Sequence, residues 1–184
     1  MLIREQIEVF KDIEPNRVVR NGQAYTETSE FLTSELTRHV TAYRKLTKTT
    51  QLGRLTRDKI DESIRRYQDY VIAGKYKAHY RQVGVVVKKN NVFEHVIPLR
   101  TVRNMLIAGV ITIEQALNSP TCLVTSEKNE MLGKLKLTKS TPNAWWFWQR
   151  YQVLDLQVET WDSEAVDQST WNLESHYNYF KVEL

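Results

Sequence analysis

The sequence predicts an α+β protein, helical and basic in its first part and strand-rich in its second. Three observations lead there. Apolar residues recur at helical spacing from Leu2 to about Gly74, β-branched runs take over at Val83, and the two parts carry opposite charge. The division falls at residues 1–82 and 83–184, which are expected to pack as one compact unit.

Leu2 to Glu14 places Ile3, Ile7 and Phe10 at helical spacing, and Pro15 resists continuation of that helix. Asn21-Gly22 marks a turn. A longer helix is expected from Thr28 or Ser29 to about Leu46. Its apolar stripe is Phe31, Leu32, Leu36, Val40 and Tyr43, with Arg38, Arg44 and Lys45 opposite. After the linker LTKTTQLGRL, Thr56 reads as an N-cap with Asp58 in the first turn. Ile60, Ile64, Tyr67 and Val71 then form a buried seam that stops near Gly74. Arg65 and Arg66 lie off that seam, open to solvent or phosphate.

From Val83 the pattern changes. VGVVVKK and NVFEHVIP flank Asn90-Asn91 and predict a β-hairpin. Leu99 to Ala108 is helical in pattern, and Thr112 with Gln115 forms a capping box for a short helix to Asn118 that Pro120 closes. CLVT is a short strand, after which Thr125 or Ser126 can cap a helix through about Leu135. PNAWWFWQRY is an aromatic cluster, material for a core or for stacking on exposed bases. VLDLQVE and SHYNYFKVEL alternate as strands do.

Several function classes are excluded by what the chain lacks. A single cysteine, Cys122, rules out an internal disulfide and a cysteine-built zinc site, and suggests a reducing, cytoplasmic setting. No apolar run reaches the ~18 residues of a membrane span, and the N-terminus shows no secretory h-region. Isolated glycines make no phosphate-cradling loop, and no G-x-S-x-G nucleophile motif occurs.

Charge narrows the partner. Between Leu36 and Asn90 there are 14 Lys+Arg against 4 Asp+Glu, a balance of +10. From Tyr151 to Leu184 there are 1 and 7, a balance of −6. A long basic block of this kind fits an anionic partner, nucleic acid above all. The acidic end would face away from it, or meet a second copy of the chain or another protein.

The chemistry candidates are Glu94 and His95 near the end of one strand, and Asn129 on the helix after the next. This order resembles the ββα-metal fold of the HNH nucleases. It is closest in type to an uncharacterised bacterial and phage group with an EHV-P strand, a VT-x-E-x-[HN] helix start and a W-x-RY motif. The matching residues here are Glu94, His95, Val96 and Pro98; Val124, Thr125, Glu127 and Asn129; and Trp148, Arg150 and Tyr151. The resemblance covers about Val83 to Tyr151. It implies a ββα-metal-like core with additional strands, and metal-dependent endonucleolytic cleavage of DNA. His95 would be the general base, with Glu94 and Asn129 holding a divalent metal, Mg²⁺ first and Mn²⁺ second. Arg65, Arg66, Lys128, Lys134 and Arg150 would contact nucleic acid.

The residue types suit that chemistry. Imidazole titrates near neutrality, and a hard cation prefers carboxylate and amide oxygen. Glu127 and Glu130 are spare carboxylates beside Asn129. Adjacent strand residues point to opposite faces, so Glu94 and His95 can converge only if the strand bends or ends at them. Otherwise His95 is a core histidine and Glu94 faces elsewhere. The chain is then a non-catalytic nucleic-acid-binding or regulatory protein on a degenerate ββα scaffold, or a phage-type interaction module.

Overall fold

The structure, a computed structural model, describes residues 23–72, 78–86 and 90–182. The expected helix from Leu2 to Glu14, the Asn21-Gly22 turn and the stop at Gly74 lie outside the described residues.

Helix α1 (Gln23–Lys45) begins about a turn earlier than Thr28. Leu32, Leu36, Val40 and Tyr43 form its buried stripe, but Phe31 is 61% exposed and lies off it. Helix α2 (Gln51–Tyr70) starts one and a half turns before the expected Thr56. Its true N-cap is Thr50, whose hydroxyl accepts from the Gly53 N–H at 3.1 Å. Thr56 instead turns its hydroxyl back to the Leu52 carbonyl at 2.8 Å, so part of the assumed linker is helix.

The close approach at this corner explains Gly53. A Cβ there would lie 2.6 Å from the Thr47 carbonyl oxygen, a backbone atom that cannot swing aside. Glycine to alanine inside a helix ordinarily stabilises by about 1 kcal/mol. Gly53→Ala is instead expected to destabilise by about 1–3 kcal/mol, the range for overpacking. A urea midpoint at or above that of the parent chain would refute this.

The sheet contains β1 (Tyr80–Gln82), β2 (Asn91–His95), β3 (Thr121–Thr125) and β4 (Val158–Thr160), in the order β2-β3-β1-β4. β3 is antiparallel to β2 and parallel to β1, and β4 closes the far edge antiparallel to β1. The expected hairpin across Asn90-Asn91 is therefore not the pairing adopted. Val83 and Gly84 form a turn after β1, and β2 takes its partner from across the intervening helices. A long stretch of apolar residues satisfies either pairing, and sequence pattern alone does not choose between them.

Those helices are α3 (Leu99–Ala108) and α4 (Ile113–Leu117). Both arms of the Thr112–Gln115 capping box form. Gly109 ends α3 in the left-handed region at φ 74°, and Arg44 of α1 donates to the terminal carbonyls of Leu106 at 2.9 Å and Ile107 at 3.3 Å. One of the basic residues of α1 thus serves the fold.

Helix α5 (Ser126–Lys134) leaves β3 directly, capped by Thr125, and packs on β2 and β3. Helix α6 (Gln149–Gln152) lies in the aromatic cluster. Helix α7 (Leu173–Phe180) replaces the expected C-terminal strand. Leu173, His176, Tyr177 and Phe180 follow helical spacing, and the Asn172 side chain accepts from Ser175 N–H at 2.9 Å. Dense aromatic residues masked that period by also fitting an alternation. In VLDLQVE only its end is strand, as part of β4.

One apolar core joins both parts of the chain, drawing on Leu36, Ile64, Leu106, Val124, Trp148 and Tyr177. A smaller cluster of Ala78, Val85 and Leu123, with Phe93 and Trp161 against it, forms separately. No helix among the described residues is long and apolar enough to cross a membrane.

Candidate functional site

β2 runs as a regular strand through the residues of interest, with Glu94 opposite Cys122 and His95 opposite Thr121. It does not bend between them. Alternation therefore sends their side chains to opposite faces.

Glu94 enters the main core, where it is only 8% exposed. Oε1 accepts from the Arg150 Nη2 group, and Oε2 accepts from the Tyr151 hydroxyl at 2.7 Å. Arg150 is completely shielded from solvent and also donates Nη1 to the carbonyls of Val96 at 3.2 Å and His95 at 3.4 Å. The W-x-RY segment and the EHV-P strand thus meet in space through a buried ion pair. Burial pushes the Glu94 carboxyl above its ordinary value, against the opposing pull of Arg150 and Tyr151. Burial first, and Glu94 second, raise the Cys122 thiol and the Tyr151 phenol well above theirs. Cys122 is accordingly an unreactive thiol.

His95 stacks edge-on against Phe93 at 5.6 Å, on the other face. Its Nε2 is shielded and has no hydrogen-bond partner among the described residues. Burial, reinforced by Arg65 and then Arg150, lowers its pKa to about 4. A histidine so placed is neutral at pH 7 and a weak base.

Asn129 is half-buried on α5. The start of that helix is seated at the Asn91 end of β2, where the Ser126 hydroxyl meets the Asn90 carbonyl, while His95 ends the strand. The strand, the following helix and the W-x-RY segment are adjacent. Glu94 and His95 are not brought to one point. Among the described residues no three His, Cys, Asp or Glu side chains cluster as a metal cage. Glu94, the residue best suited by chemistry to hold a cation, directs both oxygens to Arg150 and Tyr151.

The expected nucleic-acid contacts divide sharply. Arg150 is interior and has no surface to offer. Lys128 is half-buried and donates Nζ to the Leu154 carbonyl at 3.0 Å. Arg66 is exposed but paired with Glu62 at 2.6 Å. Arg65 and Lys134 are exposed, with no salt bridge among the described residues. Elsewhere in the basic block, Arg38, Arg57 and Lys59 meet Glu35, Asp58 and Glu62. Such exposed pairs add little stability, but they reduce the field the block projects.

Two spatial groupings are not readable from the sequence as such. One is the Tyr80, Trp171, His79 and His176 network behind β1, hidden because its members are far apart in the chain. The other is Arg100, Arg103 and Asn104, spaced i, i+3 and i+4 on α3, a polar face that the helix pattern does contain.

No family model matches this chain, and neither a curated protein nor a solved structure does.

Proposed function

We propose that this protein binds nucleic acid and does not cut it, on a degenerate scaffold of ββα type. The observation that carries this reading is the engagement of Glu94 by Arg150 and Tyr151, with His95 on the opposite face of the same strand. Hydrolysis of a phosphodiester needs a base and a metal-held phosphate within hydrogen-bond reach of one water. In this arrangement the EHV-P and W-x-RY residues act as a structural clasp. The helical layer then supplies the function.

The case for nucleic acid is electrostatic. Lys45, Lys48 and Arg65 of the basic block, and Arg100 beyond it on α3, are exposed and outside the salt bridges of the described residues. The descent of the scaffold from a metal nuclease rests on chain order: an antiparallel β2–β3 pair followed at once by α5 packed on both strands. Backbone contacts from such a layer give affinity and salt dependence without sequence choice.

The test combines two assays on the full chain. Fluorescence anisotropy with labelled duplex DNA and RNA across a salt series should show affinity falling steeply with salt, equally in EDTA and in Mg²⁺. Supercoiled plasmid incubated with Mg²⁺ or Mn²⁺ should stay intact. Metal-dependent nicking abolished by His95→Ala would restore the nuclease reading and overturn this one. Neither binding nor nicking would leave a protein-interaction module.

A further inference from the structure

A cleft of about 520 Å³ opens where α1, α2 and α3 meet, lined by Tyr43, Arg57, Asp61, Arg100, Arg103 and Asn104, with Asp58 at its edge. The geometry points to this cleft as a phosphate-binding site, built on the guanidinium groups of Arg57, Arg100 and Arg103 with the Asn104 amide beside them. The phosphate could belong to a nucleic-acid backbone, a source that rests on the function proposed above, or to a small phosphate-bearing ligand. The chemistry of capture is the same.

Three features carry the assignment. Arg103 is 6% exposed and gives Nη1 to Asp61 Oδ2 at 2.5 Å, yet its Nε–H has no acceptor among the described residues. A buried guanidinium donor without an acceptor is costly, and an oxyanion is its natural complement. Asp61 Oδ1 is likewise shielded and without a donor. Either kind of phosphate would answer the Arg103 Nε–H, and a phosphate with a protonated oxygen would answer Asp61 Oδ1 as well. Arg100 stands exposed on the same face of α3, one turn before Arg103, in no salt bridge of the described residues.

Carboxylates in the cleft do not cancel this. Three guanidinium groups face two carboxylates there, leaving one positive charge in excess. Arg57 reaches only one oxygen of exposed Asp58, with both of its contacts at 3.2 Å, long for charge-assisted bonds, so it can turn inward at little cost.

The proposal is tested on the full chain with inorganic phosphate and with duplex DNA. Arg100→Gln is the chosen variant, because the residue is exposed and its loss leaves the Asp61–Arg103 pair intact. Phosphate titrated into the parent chain should shift the Arg103 Nε–H and Asn104 amide NMR signals, with an affinity about tenfold or more weaker in Arg100→Gln. If the backbone is the source, the variant also loses about one unit from the salt-dependence slope of DNA binding. A lost phosphate response with unchanged DNA slope assigns the site to a small ligand and keeps the proposal. Silent Arg103 and Asn104 signals together with an unchanged slope overturn it. DNA affinity retained in that last case would leave the nucleic-acid reading standing, whereas absence of DNA binding in the parent chain would remove that reading separately.

Discussion

Replacing Glu94 with alanine is expected to destabilise the chain by about 3–5 kcal/mol, the cost of leaving a buried charge without its partner. Arg150 is fully shielded, and without Glu94 it keeps only its bonds to the carbonyls of Val96 and His95. Its Nε already has no acceptor among the described residues. The Tyr151 hydroxyl would lose its acceptor as well. A pairwise cycle sharpens the test. Arg150→Met combined with Glu94→Met removes both charges together, and the double variant should be more stable than either single one. Urea melts with and without Mg²⁺ and EDTA read the result. If Glu94 held a cation, Mg²⁺ would raise the midpoint of the parent chain and not of the variant. That outcome, or a Glu94→Ala midpoint equal to the parent's, would sink the clasp.

The same pair shows how far sequence reasoning reached. EHV-P and W-x-RY stand out as two distinctive segments, and the structure brings them together through Glu94, Arg150 and Tyr151. Their role was not legible. A carboxylate beside a histidine has the same letters whether it faces a metal or an arginine, and only the unbroken register of β2 against β3 separates the cases. The helical periods of α1 to α4 and the Thr112–Gln115 capping box could be read because they are local patterns, although α2 is capped by Thr50 and not by the expected Thr56, and Phe31 lies off the stripe of α1. The pairing of β2 could not, since its partner is chosen by a fold that places α3 and α4 between two neighbouring strands. The C-terminal helix was missed for a different reason. In SHYNYFKVEL nearly every position is aromatic or polar enough to fit either period, and Asn172, the cap that decides it, stands outside the run. The basic block was visible as charge, but pairing with Glu35, Asp58 and Glu62 is a spatial fact that a tally cannot hold.

Acid should unfold this protein well before ordinary carboxylate titration would. Behind β1, His176 donates Nε2–H to the Asn118 carbonyl at 2.8 Å and accepts at Nδ1 from the Tyr80 hydroxyl, also at 2.8 Å. Trp171 donates in turn to the Tyr80 oxygen at 2.9 Å. His79 lies 4.8 Å from the His176 ring, with its own Nδ1 on the Thr121 hydroxyl at 2.8 Å, and Phe180 covers both. Two imidazoles this close in an aromatic interior cannot both be charged. Burial lowers His176 to about 3 and His95 to about 4. Burial, with His176 adding to it, holds His79 well below its ordinary value.

The sign follows from linkage. In the unfolded chain each histidine takes up a proton near pH ~6.5, while the folded chain resists until far lower. The unfolded state therefore binds more protons in between, and stability present above that pH is lost as pH falls toward the folded values. Each histidine contributes a slope of about 1.4 kcal/mol per pH unit, so three together give on the order of 4 kcal/mol per unit around pH 5. Glu94, Asp61 and Asp69, whose carboxyls are raised chiefly by burial, act in the opposite sense and offset part of this slope where they titrate. Against a typical domain stability of about 5–15 kcal/mol, a fall of about two pH units below ~6.5 removes about 8 kcal/mol, enough to unfold a domain in the lower half of that range. Urea midpoints measured from pH 7.5 down to 4.5 should decline steeply, and His176→Gln, less stable at pH 7.5, should decline by roughly one-third less. A midpoint flat between pH 7 and 5 would mean that these histidines are not held neutral in the interior.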